Sequence, residues 1–282
     1  MTTFHSRVTS ILHGKIPDDL LKWLPRGWKR IGHIAVLSLH EALVPYRALI
    51  GEACHSILRG VRTIAMKVGP TLGPFRTPQI EVIAGEPRTE TLHKEHGCLF
   101  ELDAAQLTFS SGNHFERKRM IEVVKEEASV VDMFACVGNL SIPLAVHKKA
   151  HVLGIEINPV AFEYLSRNIK LNKIESRYQP LFGDNRNCTP TNWADHVVMG
   201  CWSCDDLQIS QGIEALKTNR GGWIHFHELV PPRQVSSAIR RFKERLEATP
   251  RGFVVERSHT RCVKEVGPRV FHVVTDLLLS PD

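Results

Sequence analysis

Asp132, Glu156 and Asp184 each stand at the end of a short apolar run, and this is where chemistry enters the chain. The runs are Ala128 to Met133, Ala150 to Glu156, and Tyr178 to Phe182, the last followed by Gly183-Asp184-Asn185. Short apolar segments bounded by turn residues read as buried strands. In an open α/β sheet, ligands bind outside the carboxyl ends of the strands. Asp132 is followed by Met133-Phe134-Ala135-Cys136-Val137-Gly138-Asn139, where Ala135 and Gly138 carry little bulk and let a ligand approach the backbone. A carboxylate accepts hydrogen bonds, so such a site suits a hydroxyl-rich or cationic ligand better than a phosphate.

Glu156, closing the second strand, is placed to accept from a ribose diol. Neither GxxxxGK[ST] nor GxGxxG occurs, which argues against a phosphate loop or a dinucleotide fingerprint. Acids at successive strand ends without a phosphate loop suit an adenosine ligand lacking a pyrophosphate, with S-adenosylmethionine the leading candidate. Any one of these acids alone is more simply a helix N-cap. Three in register, each after a strand, favour a nucleotide site.

The elements that must position these residues follow an α/β order. Beyond the three strands, Asp195 to Gly200, Gly221 to Glu228, Phe253 to Glu256 and Val270 to Leu278 read as four more. Helices are expected from Leu140, over Val160–Asn172, Gln208–Leu216 and Val235–Leu246. The pattern predicts a Rossmann-like doubly wound sheet with an antiparallel edge over residues 108–282. Residues 28–107 read as a small α+β domain with an antiparallel sheet and a helix over Tyr46–Leu58. Residues 1–27, broken by Pro17, Pro25 and Gly27, read as an irregular lead-in. Between the domains, Ser110, Ser111 or Asn113 is a candidate cap for a helix ending near Lys125.

The chain has 282 residues, 43% of them hydrophobic, and a formal charge of +6. That balance is ordinary for a globular protein and compatible with a nucleic-acid partner. Seven irregularly spaced cysteines argue against a disulfide framework and for a reducing compartment, the cytoplasm. No apolar run approaches the ~20 residues of a membrane span. Cys201-x-x-Cys204 and His225-x-His227 have ligand types zinc accepts, but one CxxC without a second is a weak signal, and a metal-free pocket is preferred.

The run Phe109 to Arg117, with Asp132-Met133-Phe134-Ala135-Cys136-Val137-Gly138, Glu156-Ile157-Asn158-Pro159 and Gly183-Asp184-Asn185-Arg186, resembles the class I S-adenosylmethionine enzymes that modify position 37 of transfer RNA. One branch of that group methylates N1 of guanosine 37. The other comprises the wybutosine-pathway aminocarboxypropyltransferases. The resemblance covers nearly all of the chain from about Trp28. Ser111-Gly112-Asn113 resembles the second branch, where the methylating branch usually reads Ser-Pro-Arg. The fourth strand ends Met199-Gly200-Cys201 rather than in the Asn-Leu-Pro of the methylating branch, and no extra N-terminal module precedes the small domain. The chain departs from the group at Cys136, usually Gly, and at Cys201-Trp202-Ser203-Cys204.

The resemblance implies transfer of the 3-amino-3-carboxypropyl group of S-adenosylmethionine to C7 of 4-demethylwyosine in the anticodon region of phenylalanine transfer RNA. The rival readings are guanosine-37 N1-methylation and a non-catalytic RNA-binding protein. Ser110 and Arg117 would hold the amino-acid end, since a guanidinium and a hydroxyl suit a carboxylate. Glu156 would take the ribose, and Asp184 and Asn185 the adenine edge. Phe134, Ala135 and Gly138 would line the cofactor, with Asp132 a further contact or loop organiser. No general base is assigned. Arg26, Lys29, Arg30, Arg59, Arg62, Lys67, Arg76 and Arg88 are candidate RNA contacts, and Phe134 or Trp202 a candidate stacking partner for an extruded base.

Overall fold

The computed structural model describes residues 3–247 and 252–282. The chain divides into two compact units: residues through Lys94 with Leu99–Ser111, and Glu95–Cys98 with Gly112–Asp282.

The first unit begins with helix α1 (Phe4–Leu12), whose first turn is capped by the Thr3 hydroxyl accepting from the Ser6 N–H. A 3-10 turn (Asp18–Trp23) follows. The segment expected to be an irregular lead-in is therefore ordered: Val8, Leu12, Ile16 and Leu24 share one apolar core with Leu37, Ile50 and Ile64. Each fully buried aliphatic side chain contributes roughly 1.5–3 kcal/mol, enough to order a helix that is short by itself. Next come β1 (Lys29–Ile31), β2 (Ile34–Leu37), α2 (Arg47–Ile57), β3 (Thr63–Lys67) and β4 (Ile80–Gly85). The sheet order is β1-β2-β3-β4. It is mixed rather than antiparallel throughout, because α2 is a crossover that makes β2 and β3 parallel. β5 (Glu90–Glu95) and β6 (Cys98–Asp103) form a separate hairpin.

The second unit contains α3 (His114–Val123), β7 (Ser129–Asp132), α4 (Ile142–His147), β8 (His151–Glu156), α5 (Pro159–Leu171), β9 (Tyr178–Phe182), α6 (Asn185–Cys188), β10 (His196–Met199), α7 (Asp206–Ala215), β11 (Gly222–Val230), α8 (Ala238–Glu247), β12 (Phe253–Gly267) and β13 (Val270–Pro281). Its seven strands run in the order β12-β13-β11-β10-β7-β8-β9. The central strands are parallel, and β13 pairs antiparallel with both β11 and β12. This is the Rossmann-like sheet with an antiparallel edge. Val130, Val131, Val197 and Val198 are fully buried, as expected of parallel strands covered on both faces.

β12 is much longer than the Phe253–Glu256 segment expected. As an edge strand it exposes Glu256, Arg257 and His259. Register shifts at Val255/Arg257, Cys262/Lys264 and Glu265/Gly267 also break its period-two pattern. α3 starts after Asn113, but no side chain caps it: Asn113 Oδ1 instead accepts from Lys264 Nζ at 2.7 Å. Among the described residues, no helix is long and apolar enough to cross a membrane.

Candidate cofactor site

Asp132, Phe134, Ala135, Gly138, Glu156, Asp184 and Asn185 come together at the carboxyl ends of β7, β8 and β9. The backbone ties these ends together. Ala135 N–H donates to Ile155 O at 3.0 Å, and Gly183 N–H donates to Glu156 O at 3.0 Å. Glu156 Oε2 accepts from Cys136 N–H at 2.6 Å, and Oε1 accepts from Asn158 N–H at 2.8 Å. The second-strand acid thus holds the first-strand loop. Burial pushes the Glu156 carboxyl above its usual range, against the pull of those backbone donors.

Asp132 lies deeper. It is 1% exposed, and burial raises its carboxyl to about 6. Its two oxygens accept from Phe134 N–H at 3.2 Å and from the Ser141 hydroxyl at 2.6 Å. Ser141 has one proton, and Asp132 takes it. The Tyr178 hydroxyl, 2.8 Å away, therefore donates to Ser141 Oγ. This chain of hydrogen bonds gives Asp132 the loop-organising role. Gly154 leaves room for it, since a Cβ there would meet Tyr178 Oη at 2.3 Å.

The loop backbone is left-handed at Cys136 (φ +50°) and Gly138 (φ +89°), which explains why glycine is usual at the first position in the resembling group. The Cys136 thiol is pushed up to about 12, first by burial and then by Glu156, so it stays protonated. Gly138 is buried, and a Cβ there would lie 2.3 Å from Ile142 Cδ1. Its role is to let the turn pack on α4. Gly138→Ala should destabilise the protein by about 1–3 kcal/mol through overpacking and backbone strain. Urea denaturation checks this, and a change below about 0.5 kcal/mol would show that the loop yields freely.

Asp184 is half-buried and caps α6, accepting from Arg186 N–H at 2.9 Å. Arg186 also bridges Asp184 (3.0 Å) and Asp205 (2.6 Å). Asn185 is 6% exposed. Its amide donates to Met133 O at 2.7 Å and its carbonyl accepts from Gln208 at 3.0 Å, so the side chain ties β7 to α7. Asp184 and Asn185 therefore both stand at this strand end with partners inside the chain.

Arg117 is 1% exposed and engages both carboxylate oxygens of Glu95, with Nη2–Oε2 at 3.0 Å. The guanidinium expected to await a ligand carboxylate already carries one, because an unpaired buried cation costs several kcal/mol. Ser110 is half-buried near the end of the first unit.

Sequence reasoning missed Ser141, Tyr178, Gln208, Glu95 and Asn139. Asn139 Oδ1 is buried with no partner among the described residues. A buried orphan acceptor beside Glu156's loop calls for a donor from outside the chain, such as a hydroxyl or ammonium. S-adenosylmethionine has both, so the donor set fits it. The immediate Gly138-Asn139 continuation of the loop was the available signal.

The zinc-like residues do not converge. Cys204 Sγ donates to Cys201 O, His225 pairs with His196 and Asp276, and His227 pairs with His272 at 2.9 Å. Burial pushes His196, His227 and His272 down to about 3, so they are neutral. Trp202 packs on His272 with ring centroids 5.6 Å apart.

Comparison with known proteins covers both units. Residues 91–254 match the TRM5/TYW2 methyltransferase domain, and residues 8–89 match the TYW2 N-terminal domain. The chain is 38% identical over 275 residues to the tRNA(Phe) (4-demethylwyosine(37)-C(7)) aminocarboxypropyltransferase of Pyrococcus horikoshii, covering 96% of this chain and 95% of that one. It is 34% identical to the tRNA (guanine(37)-N(1))-methyltransferase Trm5b of Pyrococcus abyssi, covering 94% and 78%. The crystal structure of P. horikoshii TYW2 in complex with MeSAdo superposes with a TM-score of 0.85 at 35% identity, over 99% of this chain and all of that one.

Proposed function

We infer that this chain, which belongs to the TRM5/TYW2 family, transfers the 3-amino-3-carboxypropyl group of S-adenosylmethionine to C7 of 4-demethylwyosine at position 37 of tRNA(Phe), in wybutosine biosynthesis. Methylthioadenosine is the other product. The observation that carries the choice of branch is the match of residues 8–89 to the TYW2 N-terminal domain, alongside near full-length similarity to an aminocarboxypropyltransferase. The fourth-strand end, Met199-Gly200-Cys201, lacks the Asn-Leu-Pro of the methylating branch. Seven free cysteines suit a reducing compartment, and we place the reaction in the cytoplasm.

When bound, S-adenosylmethionine supplies an electrophilic γ-carbon on a sulfonium leaving group. The chain decides which of the three carbons on that sulfur meets the base, and it does so by orientation. Glu156 keeps lone pairs for the ribose hydroxyls beyond the two backbone donors it already serves. Asp184 accepts from the adenine amino group. Phe134, Ala135 and Gly138 line the pocket through the loop that Asp132 and Ser141 hold. Asn139 Oδ1 accepts the donor it lacks among the described residues. Ser110 and Arg117 hold the carboxylate of the amino-acid end, with Arg117 shared between that group and Glu95. The target base is the tRNA anticodon-loop base at position 37, with Trp202 or Phe134 as its stacking partner.

Position-specific labelling tests this reading. With label in the S-methyl group, the label should leave in methylthioadenosine, and label in the carboxypropyl carbons should enter the tRNA. Methyl label recovered in the tRNA would instead establish the N1-methylating activity.

A further inference from the structure

The first unit holds a cavity of about 320 Å³ lined by Arg7, Trp28, Arg30, Ile57, Leu58 and Arg59, among others. Three arginines line one small space, and none of the described residues that line it is acidic. Three other arginines of this unit are compensated: Arg47 pairs with Glu81 at 2.9 Å, Arg62 with Glu86 at 3.8 Å and Arg88 with Glu90 at 3.5 Å. Among the described residues, Arg7, Arg30 and Arg59 have no carboxylate within ion-pair distance. Arg7 and Arg30 are oriented by backbone carbonyls instead. Arg7 Nη2 donates to Ile57 O at 3.4 Å, and Arg30 donates to Gly32 O at 2.9 Å and Gly60 O at 3.1 Å. Gly60, at φ +70°, makes the tight turn after α2 that brings its carbonyl to Arg30.

Trp28 adds an aromatic platform. It is 40% exposed, and it packs against Phe4 with ring centroids 4.7 Å apart. Oriented cations around a cavity suit a phosphate, and an aromatic face at its rim suits a base. A free inorganic anion would use the arginines but leave the tryptophan without a role. The volume lies at the small end of ligand pockets, about the size of one nucleotide.

We propose that this cavity is a docking site for the tRNA substrate, taking a backbone phosphate among Arg7, Arg30 and Arg59 and an unpaired base on Trp28. The proposal rests on the tRNA reading above and adds residues of the first unit to it.

The test is binding of tRNA(Phe) carrying 4-demethylwyosine at position 37 by fluorescence anisotropy from 50 to 200 mM salt. It compares the full chain with the Arg7→Ala/Arg59→Ala double variant, Trp28→Ala and Trp28→Phe. S-adenosylmethionine affinity is measured in parallel by calorimetry. The double variant should bind tRNA about 10-fold more weakly at the higher salt, with a log–log salt slope shallower by roughly one. Trp28→Ala should lose about 10-fold with the slope retained, and Trp28→Phe should stay within about 2-fold of the parent. S-adenosylmethionine affinity should not move. If the parent binds tRNA and the variants bind it equally well with the same slope, the docking site is wrong. If the parent binds S-adenosylmethionine but no tRNA, the substrate reading falls and the docking site falls with it.

Discussion

Glu156→Ala should weaken S-adenosylmethionine binding by about 100-fold or more, because hydrogen bonds to a charged acceptor are worth ~1.5–3 kcal/mol each and a ribose diol makes two. The loss has a second source. Glu156 is also the acceptor for the N–H groups of Cys136 and Asn158, so its removal loosens the turn that carries Ala135 and Gly138. Glu156→Gln keeps one oxygen and should fall between parent and alanine variant. The pH dependence follows from the direction of the shift. Burial raises the Glu156 carboxyl, and the diol needs an acceptor, which the ionised form supplies. Affinity should therefore be full above the raised value and decline as pH falls through it, and the decline should be absent in Glu156→Gln. Isothermal calorimetry across pH checks this. A Glu156→Ala affinity within 3-fold of the parent would remove the ribose contact from the site.

The parallel strands were legible because burial on both faces makes them continuous apolar runs, as Val130-Val131 and His196-Val197-Val198 show. Their terminal acids were legible because an acid directly after such a run stands out. The side-chain partners of those acids were not. Ser141 and Tyr178 are 37 residues apart, and Arg117 and Glu95 are 22 apart. Their pairing depends on tertiary arrangement, including a sheet order that is not the chain order. Asn185 illustrates the same limit. Its position after a strand end marks it as a ligand contact, yet its amide satisfies Met133 O and Gln208 inside the protein. The α1 segment was hidden for a different reason. Its apolar stripe, Phe4, Val8, Ile11 and Leu12 at helical spacing, stands in the sequence, but nine residues are too few for a helix to form alone, and its order comes from packing in the first unit's core.

Asp276→Ala should destabilise the protein by about 3–5 kcal/mol, the cost of breaking a buried ion pair from one side. Asp276 on β13 accepts from His225 at 2.7 Å, from Arg119 at 3.0 Å and from Arg261. Arg119 also binds Glu116, which is 2% exposed, at 2.5 and 2.9 Å. Two acids and two guanidiniums balance, and removing Asp276 leaves a net positive charge beneath α3. Burial alone would raise the Asp276 carboxyl, but the hydrogen bond and charge of His225, the Arg119 charge and the Arg261 hydrogen bond outweigh it and hold it below the usual range. A depressed acid stabilises the fold above its unfolded pKa of about 3.9. That contribution fades as pH falls below this value toward the depressed folded one, so the gap between parent and variant should narrow under acid. A double variant, Asp276→Ala/Arg261→Met, restores neutrality and should recover part of the loss. Strict additivity of the two changes in urea denaturation would show that charge balance is not what the site requires. The same contacts hold α3 to β12 and β13, and α3 carries Arg117. Asp276→Ala should therefore also lower S-adenosylmethionine affinity at temperatures where the protein remains folded, through displacement of Arg117 and without touching the ligand.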